Sequence, residues 1–89
     1  MIKYYHITCS NGVCGCDYED YVALDPEVDD VEAYAWEMTL DNAENFAYCY
    51  FGWGEVPGQD SDEYQEYIEN CSYYVEEVTK EEYDEFYQN

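Results

Sequence analysis

The 89-residue chain contains no arginine, only two lysines (Lys3 and Lys80) and one histidine (His6), against 23 aspartates and glutamates. The formal net charge is −21 at pH 7. Two lysines cannot neutralise so many carboxylates, so most of these must face water, ions or a cationic partner. Direct binding to nucleic acid or to anionic lipid, both of which rely on Lys and Arg, is excluded as the main activity. Solubility of a small domain needs a net charge of only about 2–8. The excess is therefore read as fitted to a basic partner.

Other absences narrow the chemistry. No apolar run approaches the roughly 20 residues of a membrane span. Met1 to Ser10 has a single Lys and no apolar h-region, so a cytoplasmic location is expected. The five cysteines, Cys9, Cys14, Cys16, Cys49 and Cys71, are then expected as reduced thiols. There is no C-x-x-C pair, no Gly-rich phosphate loop, no Ser nucleophile motif and no EF-hand spacing, Gln59 to Glu63 being only a loose likeness. His6 stands alone on a predicted strand and reads as structural. An enzyme is not expected, and no cofactor is assigned.

Zinc is the metal the cysteines raise. Cys9, Cys14 and Cys16 lie close together in sequence, and Cys49, Cys71 or His6 could complete four ligands. Structural zinc sites favour ligand pairs two to four residues apart. Here Cys14-Gly15-Cys16 leaves one residue between them, and there is no second pair. The stretch Ser10 to Cys16 is read as a turn, with no metal ligand assigned.

What the chain does have is aromatic residues: 13 Tyr, three Phe and two Trp, within a 47% hydrophobic composition. Acidic disordered chains are poor in aromatics, so one folded domain over residues 1–89 with an acidic skin is expected. Ile2 to Cys9 and Tyr18 to Leu24 read as a hairpin with turn signals at Asn11-Gly12 and Gly15. Asp25-Pro26 reads as the cap and first position of a long helix running to about Tyr50. On it, Val28, Val31, Ala35, Met38, Asn42, Phe46 and Cys49 share one face, and Trp36, Leu40, Ala43 and Ala47 form a neighbouring apolar strip. Asp30, Glu37, Asp41 and Glu44 fall on the opposite side, with Tyr48 continuing the line. After a loop rich in Gly and Pro, Asp60 or Ser61 caps a short helix with Tyr64, Tyr67 and Ile68 inward and Asp62, Glu66 and Glu69 outward. Cys71 to Val78 reads as a third strand, and Thr79-x-x-Glu82 as a capping box opening a last helix. The fold class is α+β, in the order β-β-α-α-β-α, with an antiparallel sheet of about three strands packed on the long helix.

Such acidic rows can imitate nucleic acid. Carboxylates three or four apart on a helix have Cβ atoms about 5–6 Å apart, and phosphates on a DNA strand rise about 3.4 Å each. The candidate partner-binding residues are Asp30, Glu37, Asp41, Glu44, Tyr48, Asp62, Glu66 and Glu69. In its 23 acids, near absence of Lys and Arg, and aromatic-rich small domain, the chain resembles the small acidic inhibitors of phages and mobile elements that mimic nucleic acid, the anti-CRISPR proteins among them. The resemblance lies in overall character and not in a motif. It implies a protein that occupies the basic groove of a nucleic-acid enzyme, a CRISPR effector being the first candidate, and it implies no particular fold. A small acidic adaptor for a basic host protein, possibly zinc-stapled, is the alternative.

Crowded carboxylates disfavour one another's ionisation. An acid whose folded pKa is raised contributes stability that is present at low pH and lost as pH rises through that value. The domain is therefore expected to melt at a higher temperature near pH 5 than near pH 8, and higher with added salt. Thermal melts flat in both variables would contradict a crowded acidic face.

Overall fold

The computed structural model describes residues 1–12, 17–52 and 54–88. Its elements are β1 (Lys3–Ser10), β2 (Tyr18–Leu24), α1 (Val31–Asn45), α2 (Ala47–Phe51), α3 (Asp62–Glu69), β3 (Ser72–Val78) and α4 (Lys80–Gln88). The three strands form one antiparallel sheet in the order β2-β1-β3, which makes this an α+β fold. β1 is central because its alternating side chains are apolar toward one face: Tyr5, Ile7 and Cys9 are all buried. Opposite them stand Val22 of β2 and Val75 and Tyr73 of β3. Sequence alone left open which strand β3 joins; pairing with β1 buries the apolar face of β1 from both sides.

The long helix expected from Asp25 to about Tyr50 is two helices preceded by a turn. At its start, the Asp25 carbonyl accepts from Val28 and Asp29 N–H, at 3.0 and 2.7 Å. The Asp25 carboxylate accepts from Glu27 N–H, and the Asp29 carboxylate accepts from Asp25 N–H. Side chains of Asp thus take the backbone donors and close a single turn, the known competition between Asp and helix. Val28, expected inward, is exposed on that turn. The true cap is Asp30, whose carboxylate accepts from Ala33 N–H at 3.1 Å. At the other end, Phe46 (φ −118°, ψ 18°) leaves helical geometry, and its carbonyl accepts from Cys49 N–H. The break turns Cys49, expected inward, to solvent, and ends α2 at Gly52, whose φ of 97° suits glycine.

The break also serves packing. α1 covers the sheet through Ala35, with Val31 and Met38 against the cluster of Tyr5, Ile7, Cys9 and Val22. Past Phe46, Ala47 joins Ala43, Tyr64, Tyr67 and Cys71 in a second cluster, with Phe51 and Ile68 at its side. Here α3 docks, as its inward Tyr64 and Tyr67 predicted, with ring contacts of Phe51 to Tyr67 at 5.3 Å and Tyr50 to Tyr67 at 4.6 Å. One buried hydrogen-bond chain ties the parts together. Asn11 Nδ2, just past β1, donates to Tyr67 Oη at 3.1 Å, and Tyr67 O–H donates to the Ala43 carbonyl at 2.8 Å.

α4 lies on the reverse face of the sheet. Its capping box forms as predicted: Glu82 N–H donates to Thr79 Oγ1, and Thr79 N–H donates to the Glu82 carboxylate. Tyr83 meets Tyr4 at 4.9 Å and Phe86 meets Tyr21 at 4.6 Å. The Tyr87 hydroxyl lies 2.6 Å from the Tyr21 carbonyl oxygen and 2.9 Å from Asp20 Oδ1, so one O–H serves two acceptors. No residue of α4 is buried, so its docking rests on partly exposed contacts. His6 belongs to this face: it stacks on Tyr21 at 4.5 Å, and its Nε2 lies 2.9 Å from Glu19 Oε2.

Two predictions follow from this packing. Tyr67→Phe removes the hydroxyl from the buried chain and is expected to destabilise the domain by about 1–3 kcal/mol, read as a lower urea midpoint. Tyr87 has its pKa pushed up to about 12, first by the desolvation of its hydroxyl against β2 and then by its hydrogen bond to Asp20, although the ring is largely exposed. A raised phenol contributes stability that is full below its usual value near 10 and lost as pH rises through the folded value. Carbon-13 tyrosine spectra are expected to show Tyr87 titrating late, with α4 released as it ionises; a Tyr87 midpoint near 10 would mean its hydroxyl does not hold the helix.

Candidate interaction surface

α1 divides its surface between the sheet and solvent. Ala35, Thr39, Asn42 and Ala43 are buried, and half a turn away Glu37, Asp41 and Glu44 are exposed, as the spacing predicted. Asp30 stands at the head of this row, but its carboxylate is engaged in capping. Tyr48 does not extend the row: it belongs to α2, beyond the break at Phe46, and is half-buried with its ring 6.3 Å from that of Phe46. On α3, Asp62, Glu66 and Glu69 are exposed on the side away from Tyr64 and Tyr67, forming a second row. Ser61, not Asp60, caps α3, accepting from Tyr64 N–H at 3.2 Å.

None of the 23 carboxylate side chains is buried. The cations sit away from both rows. Lys3 pairs with Glu77 at 3.4 Å and Lys80 with Asp84 at 2.8 Å. The terminal amine pairs with Asp25 at 3.2 Å and Glu27 at 3.6 Å. Asp25 is correspondingly held below the usual carboxylate range, first by the Glu27 N–H and then by the terminal amine. Among the described residues, no ion pair reaches Glu37, Asp41, Glu44, Asp62, Glu66 or Glu69.

The α1 row works against the stability of its own helix. Glu37 and Asp41 are four apart, Asp41 and Glu44 three apart, and like charges at these spacings destabilise a helix by about 0.2–0.5 kcal/mol per pair. Glu44 also stands in the last turn, where the helix dipole disfavours an anion, and no basic residue is there to offset it. Glu69 repeats the situation at the end of α3.

Clefts flank the α1 row. Between α1 and α3 runs an open groove of about 450 Å³, walled by Trp36, Leu40, Tyr64 and Ile68 and edged by Asp41, Glu44 and Asp60. On the other flank, Met38, Phe46 and Tyr18 with Asp41 border a second cleft of about 520 Å³. Asp41 therefore reaches both. The apolar strip of Trp36 and Leu40 beside the acids is visible in the sequence; the groove is not, because its second wall comes from α3. Tyr64 has its phenol pushed up by burial and then by the charge of Glu44, so it stays neutral at physiological pH.

The cysteines occupy separate places. Cys9 lies under α1, 3.3 Å from the Thr39 hydroxyl; Cys71 is buried in the second cluster, its thiol donating to the Tyr67 carbonyl; and Cys49 is exposed on α2. Burial pushes the thiols of Cys9 and Cys71 up, which keeps them protonated. Among the described residues, no three of His, Cys, Asp and Glu are grouped to hold a metal. Cys14 and Cys16 lie outside the described residues. No helix among the described residues is long and apolar enough to cross a membrane. Comparison with known protein families, curated protein sequences and solved structures finds no match.

Proposed function

We propose that the domain is a nucleic-acid mimic that acts in the cytoplasm, occupying the Arg- and Lys-rich groove of a nucleic-acid enzyme and blocking it, with a CRISPR effector as the first candidate target. The observation that carries this reading is charge density. A net charge of −21 along a body 43 Å long is one charge per about 2 Å, against one per about 1.7 Å of axis in duplex DNA. The charge is also presented outward, with no buried carboxylate and both lysines engaged away from the acidic rows. The rows that weaken α1 and α3 make better sense as a surface kept for a cationic partner than as a solubility device. Electrostatic steering would make association fast and salt-sensitive, and the PAM-reading and channel residues of CRISPR effectors supply the cations.

The test is competition. Capture from a host lysate on the immobilised domain, eluted by a salt gradient, names the target. The target's binding to labelled DNA is then titrated with the domain. Mutual exclusion is expected, and a stable ternary complex with DNA would instead identify an adaptor. Changing Asp30→Asn, Glu37→Gln, Asp41→Asn and Glu44→Gln together retains a competent N-cap and is expected to weaken inhibition by about tenfold or more. Inhibition unchanged in that variant would rule out mimicry by this surface.

A further inference from the structure

The groove between α1 and α3 combines two features that an acidic surface alone does not have: a volume of about 450 Å³ within the range of small-ligand sites, and walls of aromatic and aliphatic side chains. Its charges come from two elements, Asp41 and Glu44 from α1 and Asp60 from the segment leading into α3. Gln65 Nε2 donates to the Gln59 carbonyl at 2.9 Å, which ties that segment back to α3 and fixes the far rim.

We propose that this groove receives an arginine side chain from a partner protein, its stem along Leu40 and Ile68, its guanidinium plane against Trp36 or Tyr64, and its N–H groups directed to Asp41, Glu44 and Asp60. Three observations select this occupant. The chain has no arginine, and its two lysines are paired on β1 and α4, so no cation of its own fills the groove. The rim carboxylates come from two separate segments, Asp41 and Glu44 on α1 and Asp60 ahead of α3, an arrangement that several donors of one forked cation can reach. The lining mixes these acids and Gln59 and Gln65 with the aromatic and aliphatic side chains of Trp36, Leu40, Tyr64 and Ile68. A guanidinium is planar, weakly hydrated, stacks on aromatic faces and offers five donors in a fork, whereas an ammonium is a compact and strongly hydrated point charge. The Tyr64 phenol, raised by its own burial and then by Glu44, stays neutral and leaves the carboxylates as the charged groups of the groove. The inference rests on the partner being a basic protein, and not on its being a nucleic-acid enzyme.

The probe is a hexa-arginine peptide, with hexa-lysine for comparison, titrated into nitrogen-15-labelled domain at physiological salt. Shifts are expected to concentrate on the Trp36 indole, Leu40, Asp60, Tyr64 and Ile68, with the arginine peptide binding about five-fold tighter or more, since only guanidinium stacks and forks. Asp41→Asn with Glu44→Gln is expected to weaken arginine binding by about tenfold. Glu63→Gln with Glu76→Gln, the same change in net charge elsewhere, is expected to weaken it less than about two-fold, as for screened surface charge. Shifts spread over every acidic face, equal affinities for the two peptides, or equal losses in the two variants would each overturn the groove. These readouts need no target enzyme, so they stand apart from the competition with DNA. A domain that binds arginine in the groove but forms a ternary complex with DNA would retain this inference and lose the mimic.

Discussion

A chain with 23 carboxylates and two lysines must keep its carboxylates at the surface, and the composition of the interior follows from that requirement. Burying an ionised carboxylate without a partner is prohibitive, and partners are too few. The interior is therefore built largely from small residues and tyrosines: Ala35, Ala43, Ala47 and Cys9 with Ile7 and Tyr67 in the middle, and Tyr5 and Tyr64 nearer the margins. Tyrosine suits a thin core because its ring buries apolar area while its hydroxyl reaches a polar partner. Tyr67 shows this best. It is fully buried, its ring packs on Phe51 and Tyr64, and its hydroxyl joins Asn11 to the Ala43 carbonyl. That chain links the end of β1, α3 and α1, and so fixes the element bearing one acidic row against the element bearing the other.

The break at Phe46 follows from the same geometry. Ala47 and Phe51 lie beyond the break, on α2. Turned at Phe46, they meet the tyrosines of α3, and α3 is brought alongside the outer half of α1. The groove between them is a consequence: Trp36, whose ring also meets Tyr73 of β3 at 6.3 Å, and Leu40 line one side, and Tyr64 and Ile68 line the other. The packing that completes the second cluster thus leaves a groove beside it.

Legibility in the sequence followed how local each cause was. β2 runs from Tyr18 to Leu24 as the turn residues before it and Asp25-Pro26 after it indicate, and the Thr79–Glu82 box lies within four residues. Tyr64 and Tyr67 were placed inward by helical spacing alone. The long helix failed at both ends for physical reasons that spacing does not carry. At Asp25, Asp29 and Asp30, three side chains each take a different backbone donor (Glu27, Asp25 and Ala33 N–H), and the turn closed by Asp25 and Asp29 leaves Asp30 as the cap. At Phe46, packing on a helix about twenty residues downstream outweighs the local pattern, the usual way tertiary context overrides propensity. The α1 acids were legible as a row because three of them share one unbroken helix; Tyr48 was not, because the break lies between. Asp60 was read as one of two possible caps, and only the choice of Ser61 leaves its carboxylate on the groove.

On the proposed reading, the acidic rows serve a cationic partner and not the fold. Helix N-termini accept anions favourably, and Glu32, Asp62, Glu81 and Glu82 stand in first turns where they help. Glu44 and Glu69 stand in last turns where they do not, and Glu37, Asp41 and Glu44 repel one another along one line. Nothing in the domain compensates them, since the ion pairs of the described residues lie elsewhere. Their destabilising effect, of order 1 kcal/mol in total on these spacings, is a sizeable fraction of the margin of a small domain. A basic groove would reverse its sign, turning the repulsion inside the free domain into attraction across the interface. On that account the residues that weaken the domain alone are the residues that bind, and binding should raise its melting temperature most through α1.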